Sequence, residues 1–311
     1  MRLKLKWIIP LVLLLILIIV YRIPTPHKSY ETLASDVPKR QGQLYQGFKN
    51  QNAIRRLVVN GLTWEYIVTG PNKEAVLFLH GMTGAADIWW QQIYELRMEY
   101  KLISVTFPPA GSLEELSRGI IAILDSESVS TVNLVGTSLG GYLAQYLIAQ
   151  YPERVQRAVL SNTFPPNDLV RKDNRLFKTV LPFLPEWVIM RTLQGTITNS
   201  IYPASRQDPF TRAYLLALAS GGTSKAQIIS RYQAVTETFT PADPMEYGIP
   251  VMIIESDNDP LVSENLRALL RQTYPFANVY RFSGAGSFPY LNQWDTFDDL
   301  LIRFFREPAI E

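Results

Sequence analysis

The sequence predicts an α/β fold: a mostly parallel sheet with helices on both faces and a helical cap insertion, preceded by one N-terminal transmembrane helix. Three observations lead there. From Leu44 onward, short apolar runs alternate with helix-length amphipathic runs, as when a sheet is covered on both sides. Between Asn162 and Gly248 the strand pattern lapses into proline-punctuated helical stretches. Ahead of both, Trp7 to Tyr21 is uncharged and dense in Leu, Ile and Val.

The apolar run lies in length between a signal-peptide core and a full membrane span. Arg2, Lys4 and Lys6 precede it, Trp7 and Tyr21 bracket it as interfacial aromatics would, and the first alanine is Ala34, too distant for an ordinary cleavage site. An uncleaved signal anchor is therefore expected at 7–23, with residues 1–6 cytoplasmic and the large C-terminal part on the outer, periplasmic or extracellular side. A cleaved signal peptide is the competing reading. Residues 24–43 then form a polar linker, 44–306 the folded domain with its cap at about 165–248, and 307–311 a tail.

Within the domain, Ile54 to Val59 and Leu62 to Val68 flank Asn60-Gly61, which favours the positive backbone angles of a tight hairpin turn. Strands follow at Ala75 to Leu79, Leu102 to Phe107, Val132 to Val135 and Ala158 to Leu160. Helices are expected at Ile88 to Met98, Leu113 to Leu124 and Tyr142 to Gln150. The cap carries helical runs at Trp187 to Leu193, Thr211 to Ala219 and Ser224 to Glu237. Strands resume at Val251 to Ile254 and Val279 to Phe282, and Thr296 to Phe305 closes the chain as a helix.

With 30 basic and 28 acidic residues the net charge is +2, but Arg2, Lys4, Lys6, Arg22 and Lys28 lie in an acid-free first segment. Removing those five from the 30 leaves 25 against 28, a net charge of −3, and no electrostatic case for nucleic-acid binding. There is no cysteine, which excludes disulfides, thiolate metal sites and a cysteine nucleophile. No metal, nucleotide or flavin motif appears, so no cofactor is expected. Inside the cap, Arg171, Lys172, Arg175 and Lys178 form a basic cluster that reads as a solvated helix face.

The chemistry concentrates in four stretches. Gly136-Thr137-Ser138-Leu139-Gly140-Gly141 fits GxSxG between a strand and a helix, the context in which a serine is exposed on a strained turn as an acyl-transfer nucleophile. His80-Gly81-Met82-Thr83-Gly84 follows a strand and fits the loop that supplies a second oxyanion donor, giving the backbone amides of Met82 and Leu139 as the oxyanion pair. His80 itself reads as a brace for that loop. Asp259, with Asp257 as second choice, follows the Val251 to Ile254 strand where a triad acid belongs; it either orients a partner or caps a loop. Gly284-Ala285-Gly286-Ser287-Phe288-Pro289, after the last strand, resembles the Gly-x-Gly-His-x-Pro stretch common in α/β-hydrolases; that resemblance puts Ser287 in the position of the histidine base, and serine accepts no proton near neutral pH. The chain has only two histidines, His27 and His80, and neither occupies that position.

These motifs resemble the α/β-hydrolase superfamily across roughly 44–306. Within it the chain resembles the maspardin-like group through Gly84-Ala85-Ala86-Asp87, Gly136 to Gln145, Leu160-Ser161-Asn162-Thr163-Phe164 and Ser287-Phe288-Pro289-Tyr290-Leu291. That resemblance implies an elbow serine kept without its histidine, and action through a protein partner or ligand rather than turnover. The expectation is a membrane-anchored binder with a degenerate triad. The alternative is a serine hydrolase acting on small esters or lipids through Ser138 and a non-standard base.

Overall fold

A computed structural model describes residues 5–173 and 179–307. Arg175 and Lys178 of the basic cluster, the first four residues and most of the tail lie outside the described residues. Eight strands form one sheet: β1 (Arg55–Val59), β2 (Leu62–Thr69), β3 (Ala75–Leu79), β4 (Lys101–Thr106), β5 (Val132–Thr137), β6 (Val155–Ser161), β7 (Val251–Ser256) and β8 (Asn278–Phe282). Their order is β1-β2-β4-β3-β5-β6-β7-β8. The β1–β2 and β2–β4 pairs are antiparallel and all others parallel. The predicted hairpin is present, with Asn60 and Gly61 both at positive φ (50° and 79°), as a two-residue turn between twisted strands requires.

The central strands are buried on both faces, which is why they read as continuous apolar runs. Alternate side chains feed two separate cores. On one face Val76, Phe78, Val135 and Ile254 pack with Trp89, Tyr290, Phe297 and Phe304. On the other, Leu77, Leu79, Leu134 and Leu160 pack with Leu113, Ile120, Leu143 and Leu147. The helices that cover the sheet include Trp90–Leu96, Leu113–Ser126, Leu139–Gln150, Glu264–Thr273 and Trp294–Arg306. Among those in the cap are Glu186–Thr196, Pro209–Ala217 and Lys225–Val235, inserted between β6 and β7.

Two features depart from expectation. The polar stretch after Ser29 carries helices at Tyr30–Leu33 and Lys39–Gln51. The second contains Gly42 and Gly47 and has poor intrinsic propensity, but it buries Tyr45 and Phe48 against the first core, so tertiary packing overrides local preference.

The transmembrane helix is the second correction. The helix Leu5–Arg22 forms, but its 18 residues include Pro10. At 1.5 Å per residue it reaches only about 27 Å, against a hydrocarbon core of about 30 Å. Among the described residues no helix is long and apolar enough to cross a membrane. The single-pass topology, the membrane as partner and the outer-side placement of the domain therefore lose their basis. The C-terminal end of this helix is instead tied to the cap: the Tyr21 hydroxyl donates to the Phe183 carbonyl, and the Trp187 indole N–H donates to the Val20 carbonyl at 2.9 Å.

Candidate active site

β5 delivers Ser138 to the start of the helix Leu139–Gln150 with φ 51° and ψ −117°, a positive-φ conformation outside the left-handed helical well that costs a non-glycine residue on the order of 1–3 kcal/mol. The surrounding glycines make the turn fit. A Cβ on Gly136 would lie 2.3 Å from the Gly140 carbonyl oxygen, and one on Gly140 would lie 2.1 Å from that of Leu79. The turn is pinned by the Ser138 N–H to the Ser161 carbonyl (3.1 Å) and by the Thr163 hydroxyl to the Ser138 carbonyl (2.7 Å).

The opposing loop follows β3. His80 is fully buried; its Nε2 accepts the Phe107 N–H at 3.1 Å, so Nδ1 carries the proton and donates to the Gly81 carbonyl at 2.6 Å. Burial, and then the nearby Arg231 guanidinium, hold its pKa well below 6.5, so the ring is neutral with both nitrogens committed to backbone. It braces the loop and has no lone pair free for Ser138. Gly81 carries no side chain because a Cβ there would crowd the Ser138 Cβ at 3.1 Å. Met82 lines the same cavity as Ser138, and Leu139, as first residue of its helix, has an N–H without an intrahelical acceptor. His27 is exposed and lies along a different cavity.

On the acid side, the two carboxylates separate cleanly. Asp257 accepts from the Ser283 hydroxyl (3.0 Å) and the Gly284 N–H (2.8 Å), and the backbone hydrogen bond from Gly284 is the main reason its pKa is lowered; it closes a loop. Asp259 faces the cavity. Its Oδ1 accepts the Ser287 hydroxyl at 2.5 Å and the N–H groups of Leu261 (2.9 Å) and Val262 (3.2 Å), and its Oδ2 accepts the Asn162 amide at 2.8 Å. Ser287 thus spends its proton on the Asp259 carboxylate.

Ser138, Asp259, Ser287 and Met82 line one cavity of about 270 Å³. Its upper wall is apolar, formed by Ile189, Leu193, Ile201 and Ile228 from the cap. Two tyrosines, Tyr232 and Tyr290, complete the titratable lining, and burial raises the pKa of both, so neither phenol is a base near neutral pH. Among the described residues no group of three or more His, Asp or Glu is placed to hold a metal ion.

Two residues here escaped sequence reasoning. Asn162, at φ 44°, joins β6 to the acid loop through Asp259 and the Gly286 carbonyl (3.1 Å); its place in Leu160-Ser161-Asn162-Thr163-Phe164 was the available signal. Arg231, on the cap helix Lys225–Val235, is fully buried and donates to the Met82 carbonyl at 2.7 Å and the Phe107 carbonyl at 3.3 Å. Burial pushes its pKa down to about 9. Nothing in the local pattern distinguishes it from a surface arginine on an amphipathic helix.

Comparison with known proteins agrees with this geometry. The family described as alpha/beta hydrolase fold matches residues 74–293, and the chain belongs to that family. Maspardin from Mus musculus is 24% identical over 258 residues, covering 79% of this chain and 81% of the relative, and maspardin from Danio rerio is 23% identical over 257 residues, covering 79% and 80%. These relatives place it in the maspardin-like group. Among solved structures, a hydrolase from Pseudomonas aeruginosa superposes with a TM-score of 0.70 at 18% identity, covering 82% of this chain and 98% of that one. An enol-lactonase from Burkholderia xenovorans superposes with a TM-score of 0.68 at 17% identity, covering 81% and 100%. At such identities the structural matches speak for the fold alone.

Proposed function

We propose that this maspardin-like α/β-hydrolase-fold protein binds a small, largely apolar ligand, or a partner's side chain, in the Ser138 cavity and turns it over slowly or not at all. One observation carries the reading: the Ser287 hydroxyl donates to Asp259 at 2.5 Å in the place of a base, while both nitrogens of His80 are held by backbone. A serine hydroxyl without a proton acceptor is a weak nucleophile, and loss of the triad base lowers turnover by roughly 10⁶. What remains is a cleft able to receive a carbonyl or carboxylate beside the start of a helix, with an aliphatic body under the cap.

A fluorophosphonate probe tests this directly. Ser138 should label slowly or not at all in the unmodified protein. Rapid labelling that disappears in Ser138→Ala would overturn the binding reading in favour of a serine hydrolase acting on esters or lipids. That second reading has its own support in the retained strain at Ser138, φ 51°, which a pure binding cleft does not require.

A further inference from the structure

A second cavity, of about 390 Å³, lies away from Ser138, where the N-terminal segment, the turn after β3 and the cap meet. At its base is Asp87, the last residue of the Gly84-Ala85-Ala86-Asp87 stretch, which the Ser138 site does not use. Its carboxylate accepts the Tyr45 hydroxyl at 2.7 Å and the Tyr214 hydroxyl at 2.6 Å, from the helices Lys39–Gln51 and Pro209–Ala217. Among the described residues no cation pairs with it. Tyr30, only 7% exposed, also lines the cavity, and its hydroxyl is buried without a hydrogen-bond partner. A carboxylate with lone pairs to spare, an idle phenol and the rings of Tyr30 and Tyr45, 4.8 Å apart, make an environment suited to an ammonium group.

The exposed side of the cavity carries a net positive charge, two lysines against the one carboxylate of Glu31, which also lines it and lies near Lys49. Lys49, whose ammonium lies 5.6 Å from the Tyr45 ring centroid, and Lys28 both line it. The Lys28 segment is fixed to the cap by its N–H to the Ser220 carbonyl at 3.3 Å, and His27 lies so close to Gly221 that a Cβ there would stand 1.9 Å from its Nδ1. Ala217 and Leu218 supply an apolar wall. Counting about 30 Å³ per heavy atom, the space admits on the order of a dozen atoms.

We propose that this cavity is a binding site for a small zwitterion of the amino-acid class, with its ammonium on Asp87 and Tyr30, its carboxylate toward Lys49 and Lys28, and an apolar side chain against Ala217 and Leu218. Neither a simple cation nor a simple anion matches both ends.

Calorimetric titration of the full chain with L-leucine, leucine methyl ester and N-acetylleucine tests the assignment. Leucine should bind saturably, and each singly charged analogue at least about tenfold more weakly, a difference of about 1.4 kcal/mol. Asp87→Asn and Lys49→Ala should each weaken leucine binding at least about fivefold, while Ser138→Ala leaves it unchanged. Lys49 is exposed, so Lys49→Ala decides the matter if Asp87→Asn does not fold. No heat with leucine up to about 10 mM, equal binding of the methyl ester, unchanged binding in Lys49→Ala, or loss in Ser138→Ala would each overturn the proposal.

Discussion

The loops after β3 and β5 and those after β7 and β8 face each other across one cavity, yet they have kept different things. The first pair retains a strained serine, glycines that let backbone approach to within contact, and a neutral buried imidazole that holds the opposing loop. The second pair holds Asp259 by the N–H groups of Leu261 and Val262, with Asn162 reaching in from the end of β6, and pairs it with the Ser287 hydroxyl. The geometry for holding a polarised oxygen is thus separable from the equipment for moving a proton. The former depends on backbone conformation, which glycines and sheet packing impose. The latter, on the reading proposed above, depends on the identity of a single side chain, Ser287.

Three experiments sharpen or break that contrast. The largest effect should come from Gly140→Ala, because its Cβ would meet the Leu79 carbonyl oxygen at 2.1 Å and the His80 carbonyl oxygen at 2.7 Å, both rigid backbone. A loss of about 3 kcal/mol in urea-unfolding stability is expected. Full stability would mean that the first half is not held as tightly as described.

Ser287→His comes next. If the second half lacks only its base, an imidazole hydrogen-bonded to Asp259 should raise fluorophosphonate labelling of Ser138 by at least about a hundredfold, equivalent to about 2.7 kcal/mol. No increase in a folded variant, judged by an unchanged circular dichroism spectrum, would place the defect in more than one residue.

The third is a pH dependence confined to the first half. His80 is kept neutral by burial, so its folded pKa lies well below the 6.5 of the unfolded chain. Below pH 6.5 the unfolded state therefore binds more protons, and stability falls as pH drops, by up to about 1.4 kcal/mol per pH unit. Above that value the contribution is flat. Urea midpoints at about pH 7.5, 6.5 and 5.5 check the sign, and a midpoint that holds steady over the lower interval would show that the ring is not the neutral brace described here.

Taken alone, the sequence determined the order of strands and helices, the hairpin at Asn60-Gly61, the elbow at Ser138, the loop after β3 and the acid loop. Each is written in a few adjacent residues, through apolar period, turn chemistry or glycine placement, and each survives whatever surrounds it. It determined too that His27 and His80 are the only imidazoles in the chain. It misled where length and apolarity suggested a membrane span. It was silent where burial is made by residues far apart in the chain: the helix Lys39–Gln51 that forms in spite of two glycines, Arg231 of the cap, and Asp87 between Tyr45 and Tyr214. Only the tertiary structure shows how the surroundings of Asp257 and Asp259 differ, because both carboxylates follow the same strand and the difference lies in which donors reach them. Local pattern fixes backbone; which polar groups meet, and which are left waiting for a partner, is fixed by the packing of whole elements against one another.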